Sequence, residues 1–176
     1  MRRATAEYVT DPMVDAVLFA WGHTLVTPPP DDEPGEAARR LDSTTHALLE
    51  ALRRRGLALG VVSNASGPPA DLHRELADSG IAERIDYAVF SSEAGQTKPG
   101  AELFQRALDA LGVRAEAAVF VGDRLYEDVR GASELGMTTV QALWFRADDH
   151  PDGVEPDYQA FTQMDVLNVV RRLNGE

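Results

Sequence analysis

Residues 17–26, VLFAWGHTLV, decide the fold, because an apolar run stops abruptly at Gly22. The run over 14–20 is typical of a strand buried on both faces, as the strands of parallel sheets are. Ligands of such sheets bind beyond the carboxyl ends of the strands. The residues after this strand therefore stand where chemistry is expected, yet neither Ala20 nor Gly22 carries a reactive side chain.

Outward from this stretch, apolar runs alternate with helical patterns. Further strands are predicted at 57–62, 85–90, 117–121 and 138–143. Helices are predicted at 41–52 with an end at Gly56, at 70–79, at 103–111, from about 126 to an end at Gly136, and at 161–173. The alternation predicts an α/β fold, a doubly wound parallel five-stranded sheet of Rossmann-like type with helices on both faces. The length predicts a single domain over 1–176, with a core at about 14–173.

Composition restricts the partners and the compartment. The formal net charge of −12 opposes binding to nucleic acid and to anionic lipid. The basic cluster at 53–55 is interpreted as the last turn of a helix. No apolar run of about 18 residues predicts a membrane span, and no apolar segment of a secretory signal follows the N-terminal arginines. Because cysteine is absent, disulfides and thiolate sites are excluded, and a cytoplasmic protein is expected.

Polar side chains follow the other predicted strands at the same edge of the sheet. Ser63 and Asn64 follow the second strand, Lys98 follows the third, and Asp123 and Asp128 follow the fourth. Lysine offers a compact positive charge for anionic oxygens, and carboxylates are the hard ligands that Mg²⁺ prefers. Singly, these residues also suit a helix cap, a helix dipole or a turn. Together they predict a site for a phosphate group and a divalent cation.

The order and spacing of these residues resemble the haloacid dehalogenase superfamily over nearly the whole chain. In that family the first strand ends in Asp-x-Asp-x-Thr, the second in Ser or Thr, a Lys follows, and then Gly-Asp-x-x-x-x-Asp. The corresponding stretches here are AWGHT at 20–24, SN at 63–64, TKPG at 97–100 and GDRLYED at 122–128.

The resemblance implies a phosphatase-type hydrolase that forms an aspartyl-phosphate with Mg²⁺. The first aspartate of the family attacks phosphorus, and the second protonates the leaving group and activates water. By this resemblance Ser63, Asn64 and Lys98 bind phosphate. The implied metal ligands are Asp123, Asp128 and the backbone carbonyl of Gly22.

The chain departs from the family pattern at both aspartates, with Ala20 at the nucleophile position and Gly22 at the acid/base position. Gly22 alone narrows the range of leaving groups, whereas Ala20 removes the attacking atom and one metal ligand together. We therefore predict a phosphatase-type chain that is inactive as it stands. The alternatives are a non-catalytic pseudoenzyme that binds a phosphorylated ligand and a purely structural domain. Natural loss of the aspartate and a deliberate Asp→Ala substitution both remain open.

The family often covers its site with a cap domain, and this sequence leaves no room for one. Only a few predicted elements lie between Ala20 and Ser63 and between Ser63 and Lys98. The first interval contains an acidic, proline-rich loop at 27–35 where one type of cap would be inserted. By the resemblance, an uncapped site favours a bulky phosphorylated ligand or closure by a second subunit, which leaves a homo-oligomer open.

Overall fold

A computed structural model describes residues 13–27, 41, 43–145 and 153–176. The strands are β1 (Ala16–Phe19), β2 (Ala58–Ser63), β3 (Tyr87–Phe90), β4 (Ala118–Gly122), β5 (Thr138–Ala142) and β6 (Tyr158–Ala160). The helices are α1 (Ser43–Arg54), α2 (Pro69–Asp78), α3 (Ser91–Ala94), α4 (Ala101–Leu111), α5 (Gly131–Glu134) and α6 (Gln163–Leu173). The predicted acidic loop lies, apart from Thr27, outside the described residues.

The strands form one parallel sheet in the order β3-β2-β1-β4-β5-β6. The strand order reverses between β1 and β4, which is where ligands bind in doubly wound sheets. The predicted count of five strands is wrong, because β6 adds a sixth strand of three residues beside β5. Its sequence, YQA, is too short and too polar to show a strand pattern on its own.

Helices cover both faces of the sheet, and β1 supplies side chains to both. Val17 and Phe19 pack in the core beneath α1, α2 and α6, whereas Ala16 and Leu18 pack in the core beneath α4 and α5. All four side chains are fully buried. The apolar run of the opening stretch therefore reflects burial on both faces, as the parallel arrangement requires.

The helix predicted from about residue 126 is present but is not uniform. Leu125–Arg130 forms a π-helical turn, in which the Val129 N–H bonds to the Arg124 carbonyl at 3.2 Å. α5 continues from Gly131, where a Cβ atom would lie 2.6 Å from the Phe104 ring of α4. Such turns are rare and occur mostly at functional sites.

The other strands and α-helices differ from the predictions only at their ends, apart from the short α3, which was not predicted. α6 begins at Gln163 rather than at 161, because the Asp165 carboxylate accepts the N–H groups of Phe161 and Thr162 and caps the helix. None of the helices in the described ranges has the length and apolar character needed to span a membrane.

Candidate active site

A cavity of about 250 Å³ opens at the carboxyl edge of the sheet, beside the ends of β1, β2 and β4. All of the residues predicted for the site line it, namely Ala20, Gly22, Ser63, Asn64, Lys98, Asp123 and Asp128. The topology explains this convergence, because parallel strands carry their carboxyl ends to one edge.

Lys98 and Asp128 form a buried ion pair at this cavity. The Lys98 Nζ lies 2.5 Å from Oδ1 of Asp128 and donates a second hydrogen bond to the Val62 carbonyl at 2.9 Å. The side chains are 3% and 2% exposed, so both charged groups are largely shielded from bulk water. An ammonium has three N–H donors, and these two contacts use two of them.

The π-helical turn holds Asp128 in that position. The other carboxylate oxygen, Oδ2, accepts the backbone N–H of Arg124 at 3.1 Å. Gly122 leaves the necessary space, because a Cβ atom there would lie 2.3 Å from the same oxygen. Glycine at this position of the GDRLYED stretch is thus a steric requirement for the ion pair.

Asp123 lies beside the loop that follows β1. Asp123 is 4% exposed, and its Oδ1 is 3.5 Å from the hydroxyl of Thr24, a residue that is completely buried. Thr24 and Asp123 are far apart in the chain, so this contact joins the ends of β1 and β4. It gives the threonine of the AWGHT stretch a role in placing the acid.

Ser63 is the last residue of β2 and Asn64 follows it, and their side chains have different partners. The Ser63 hydroxyl makes only a long contact of 3.4 Å to the Asn64 carbonyl, which leaves it available to the cavity. The Asn64 amide is occupied by the main chain of Lys98. It donates to the Lys98 carbonyl at 3.0 Å and accepts the Lys98 N–H at 2.8 Å.

Two tryptophans hold the loop after β1 through hydrogen bonds that the sequence did not predict. The Trp144 indole N–H donates to the Thr24 carbonyl at 2.9 Å, and the Trp21 indole donates to Oε1 of Glu75 on α2 at 3.1 Å. His23 within this loop has φ of 58°, a left-handed conformation unusual for a non-glycine residue. Position after a strand end was the only sequence signal that marked Trp144.

The donor set present falls short of a complete Mg²⁺ site. Ala20 contributes a methyl group, and the Asp128 carboxylate is engaged by Lys98 and by the Arg124 N–H. Within the described ranges, no three His, Cys, Asp or Glu side chains are grouped to hold a metal ion. Asp123 and the Gly22 carbonyl remain from the predicted set, whereas Mg²⁺ takes octahedral oxygen coordination. The magnesium cofactor stays a prediction.

Comparison with known proteins identifies the relatives of this chain. A family model described as haloacid dehalogenase-like hydrolase matches residues 25–136, a segment that begins after Ala20. The glyceraldehyde 3-phosphate phosphatase of Methanocaldococcus jannaschii is 35% identical over 76% of this chain and 57% of its own length. The phosphoserine phosphatase of Thermus thermophilus is 43% identical over 62% of this chain and 42% of its own length. The chain thus spans about half the length of these curated relatives.

Solved structures show the same architecture. A HAD phosphatase from Thermococcus onnurineus superposes with a TM-score of 0.65 and 31% identity, over 74% of this chain and 58% of that one. An uncharacterized protein from Listeria monocytogenes serotype 4b superposes with a TM-score of 0.79, over 93% of this chain and all of its own, at 23% identity. The second likeness concerns the fold alone.

Proposed function

The chain belongs to the haloacid dehalogenase-like hydrolases, and from this we propose that its cavity binds the phosphoryl group of a ligand without hydrolysing it. One observation carries the proposal. Ser63, Lys98 and Asp123 meet at one cavity, and Ala20, at the position that the resemblance assigns to the family's nucleophile, lines the same cavity with only a methyl group. This arrangement supports a site that binds phosphate but has no attacking atom.

The residues present can hold a phosphate group in a defined way. The third N–H of Lys98 and the Ser63 hydroxyl supply hydrogen-bond donors, and donors with a positive charge form the stronger bonds to phosphate oxygens. Asp128 fixes the ammonium and offsets part of its charge. Ala20 has no lone pair, so no covalent bond to phosphorus forms at this position.

We also propose that the ligand extends beyond the cavity. A volume of about 250 Å³ lies below the range of about 300–1,000 Å³ typical of small-molecule pockets. No separate cap domain covers the cavity within the described residues. The phosphate group therefore enters while its bulky carrier stays outside, where a second subunit or the ligand itself would close the site.

Titration with inorganic phosphate tests the binding. Trp21 lies within the loop after β1 and Trp144 bonds to it, and Ala20, Gly22 and His23 of this loop line the cavity. Intrinsic fluorescence is therefore the first readout, and calorimetry gives the affinity. We expect saturable binding that Ser63→Ala weakens about fivefold to tenfold, the scale of one lost hydrogen bond. Ser79→Ala is the matched control, because the Ser79 hydroxyl bonds to the Leu76 carbonyl at the end of α2.

Hydrolysis is tested on the same protein with an activated aryl phosphate. We expect no turnover above the buffer rate, with and without Mg²⁺. Failure of the chain to bind phosphate, or turnover by the unaltered chain, would contradict the proposal.

A second candidate is a phosphatase whose architecture lacks only its acidic side chains. It is favoured by the space at Gly22, where a Cβ atom would meet nothing within 4 Å. The Cβ atom of a longer side chain therefore fits there without displacement of a neighbour. Substitutions that restore both carboxylates separate this candidate from a decayed site.

A further inference from the structure

Lys98 is held at both of its ends by the residues on either side of Ser63. The carbonyl of Val62 accepts the ammonium, and the side-chain amide of Asn64 makes two hydrogen bonds to the Lys98 main chain, at 2.8 and 3.0 Å. The residue between them, Ser63, lines the cavity with Lys98. The end of β2 therefore holds Lys98 in place and also contributes the Ser63 hydroxyl to the cavity.

The lysine held in this way is the only one in the chain, all other basic side chains among the 17 being arginine. It is 4% exposed, whereas lysines are almost never so buried unless they are paired. A free lysine side chain has large rotamer entropy, which opposes a fixed ammonium. Fixing the main chain at one end and the Nζ at the other removes that freedom before a ligand arrives.

We propose that Asn64 is a positioning residue, which acts on a bound phosphate through Lys98 and not by direct contact of its amide. One donor and one acceptor of the amide are already used by the Lys98 main chain. Loss of these bonds frees the start of the lysine side chain and spreads the ammonium over more positions relative to Ser63. This assignment rests on the proposed function and gives Asn64 a different role from a phosphate ligand.

The single lysine makes the test direct. Protein labelled with ¹³C and ¹⁵N lysine gives one side-chain signal, from Lys98. We expect Asn64→Ala to shift and broaden this signal before any phosphate is added, and to weaken phosphate binding about tenfold, the scale of one or two hydrogen bonds. Asn64→Ser, which keeps one short hydrogen-bonding group, is the milder second variant if the alanine variant does not fold.

Asn174→Ala is the matched control. Asn174 accepts the backbone N–H of Val14 at 2.8 Å, so it also joins an asparagine side chain to a distant main chain, next to the opposite edge of the sheet. The control should lose comparable stability while its Lys98 signal and phosphate affinity stay unchanged.

The outcomes separate this inference from the proposed function. If the unaltered chain binds no phosphate, the proposed function fails, whereas the Lys98 signal in the unliganded variants still tests the positioning. An Asn64→Ala variant with normal affinity and an unchanged Lys98 signal overturns the positioning role. Weakened affinity with an unchanged signal also overturns it, since Asn64 would then contact the phosphate itself.

Discussion

A side chain at Gly122 and the carboxylate of Asp128 cannot occupy the site together. A Cβ atom on Gly122 would lie 2.3 Å from Oδ2 and 2.6 Å from Cβ of Asp128, well inside contact distance. The carboxylate in turn holds the ammonium of Lys98. Gly122 is thus linked to Lys98, the only lysine of the chain, through a single intervening residue, Asp128.

Gly122→Ala is expected to displace Asp128 and break the buried ion pair. The free energy of unfolding should fall by about 3–5 kcal/mol, because one buried charge is left without its partner. Urea denaturation measures the change. Gly22→Ala is the control, since a Cβ atom there meets nothing within 4 Å, and its effect should stay within about 0.5 kcal/mol. Equal effects of the two variants would refute the steric argument.

Ala20→Asp should give the chain hydrolytic activity toward an aryl phosphate in the presence of Mg²⁺. The new carboxylate supplies both the attacking oxygen and a further metal ligand. We expect a rate on the order of a hundredfold above that of Ala20→Asn, which has the same shape but no nucleophilic oxygen. Chelation of the metal should abolish the gain. If Ala20→Asp hydrolyses the aryl phosphate no faster than Ala20→Asn does, the chain is not a phosphatase that lacks only the carboxylate at position 20.

Adding Gly22→Asp to Ala20→Asp should extend hydrolysis to alkyl phosphates. These esters have poor leaving groups that need a proton, and a positioned acid contributes roughly 10²–10⁴-fold to such a step. The ratio of alkyl to aryl turnover is the measurement, and Gly22→Asn in the same background is its control. The ratio should rise only with the acid, so a rise with the amide as well would contradict general acid catalysis at position 22.

Trp144→Phe should loosen the loop that carries Thr24. The substitution removes the indole N–H bond to the Thr24 carbonyl and keeps most of the aromatic ring, so stability should fall by about 1 kcal/mol. Hydrogen exchange of the Leu25 and Val26 amides, which bond to the Trp21 carbonyl, measures the loosening. His73→Phe, which alters an exposed ring beside Phe90, is the control and should leave this exchange unchanged. Unchanged exchange in Trp144→Phe would show that the indole bond does not hold the loop.

The sequence was sufficient for the features that depend on local pattern and strand order. Apolar runs located β1 to β5, and the parallel topology then brought Ser63, Lys98 and Asp123 to one edge, as predicted. β6 escaped prediction because three residues cannot show a periodicity. The π-helical turn escaped because no residue type marks it.

The contacts that refine the site could not be predicted from the sequence, because each joins residues that are distant along the chain. Asn64 had the chemistry of a phosphate ligand, and only the fold shows that its amide is used by the Lys98 main chain. No sequence pattern links Trp144 to Thr24, because their bond depends on where the end of β5 meets the β1 loop. A position at the end of a strand predicts that a residue lies near the site. The hydrogen-bond partner of its side chain is decided by tertiary geometry.

The methyl group of Ala20 has a consequence for ligand lifetime if the cavity binds a phosphoryl group without hydrolysing it, as we propose. The ligand would then leave chemically intact, and its residence time would be set by dissociation alone. The fraction of chains with bound ligand would then follow the free ligand concentration reversibly. Such a chain would act as a sensor of the ligand concentration and would not consume the ligand.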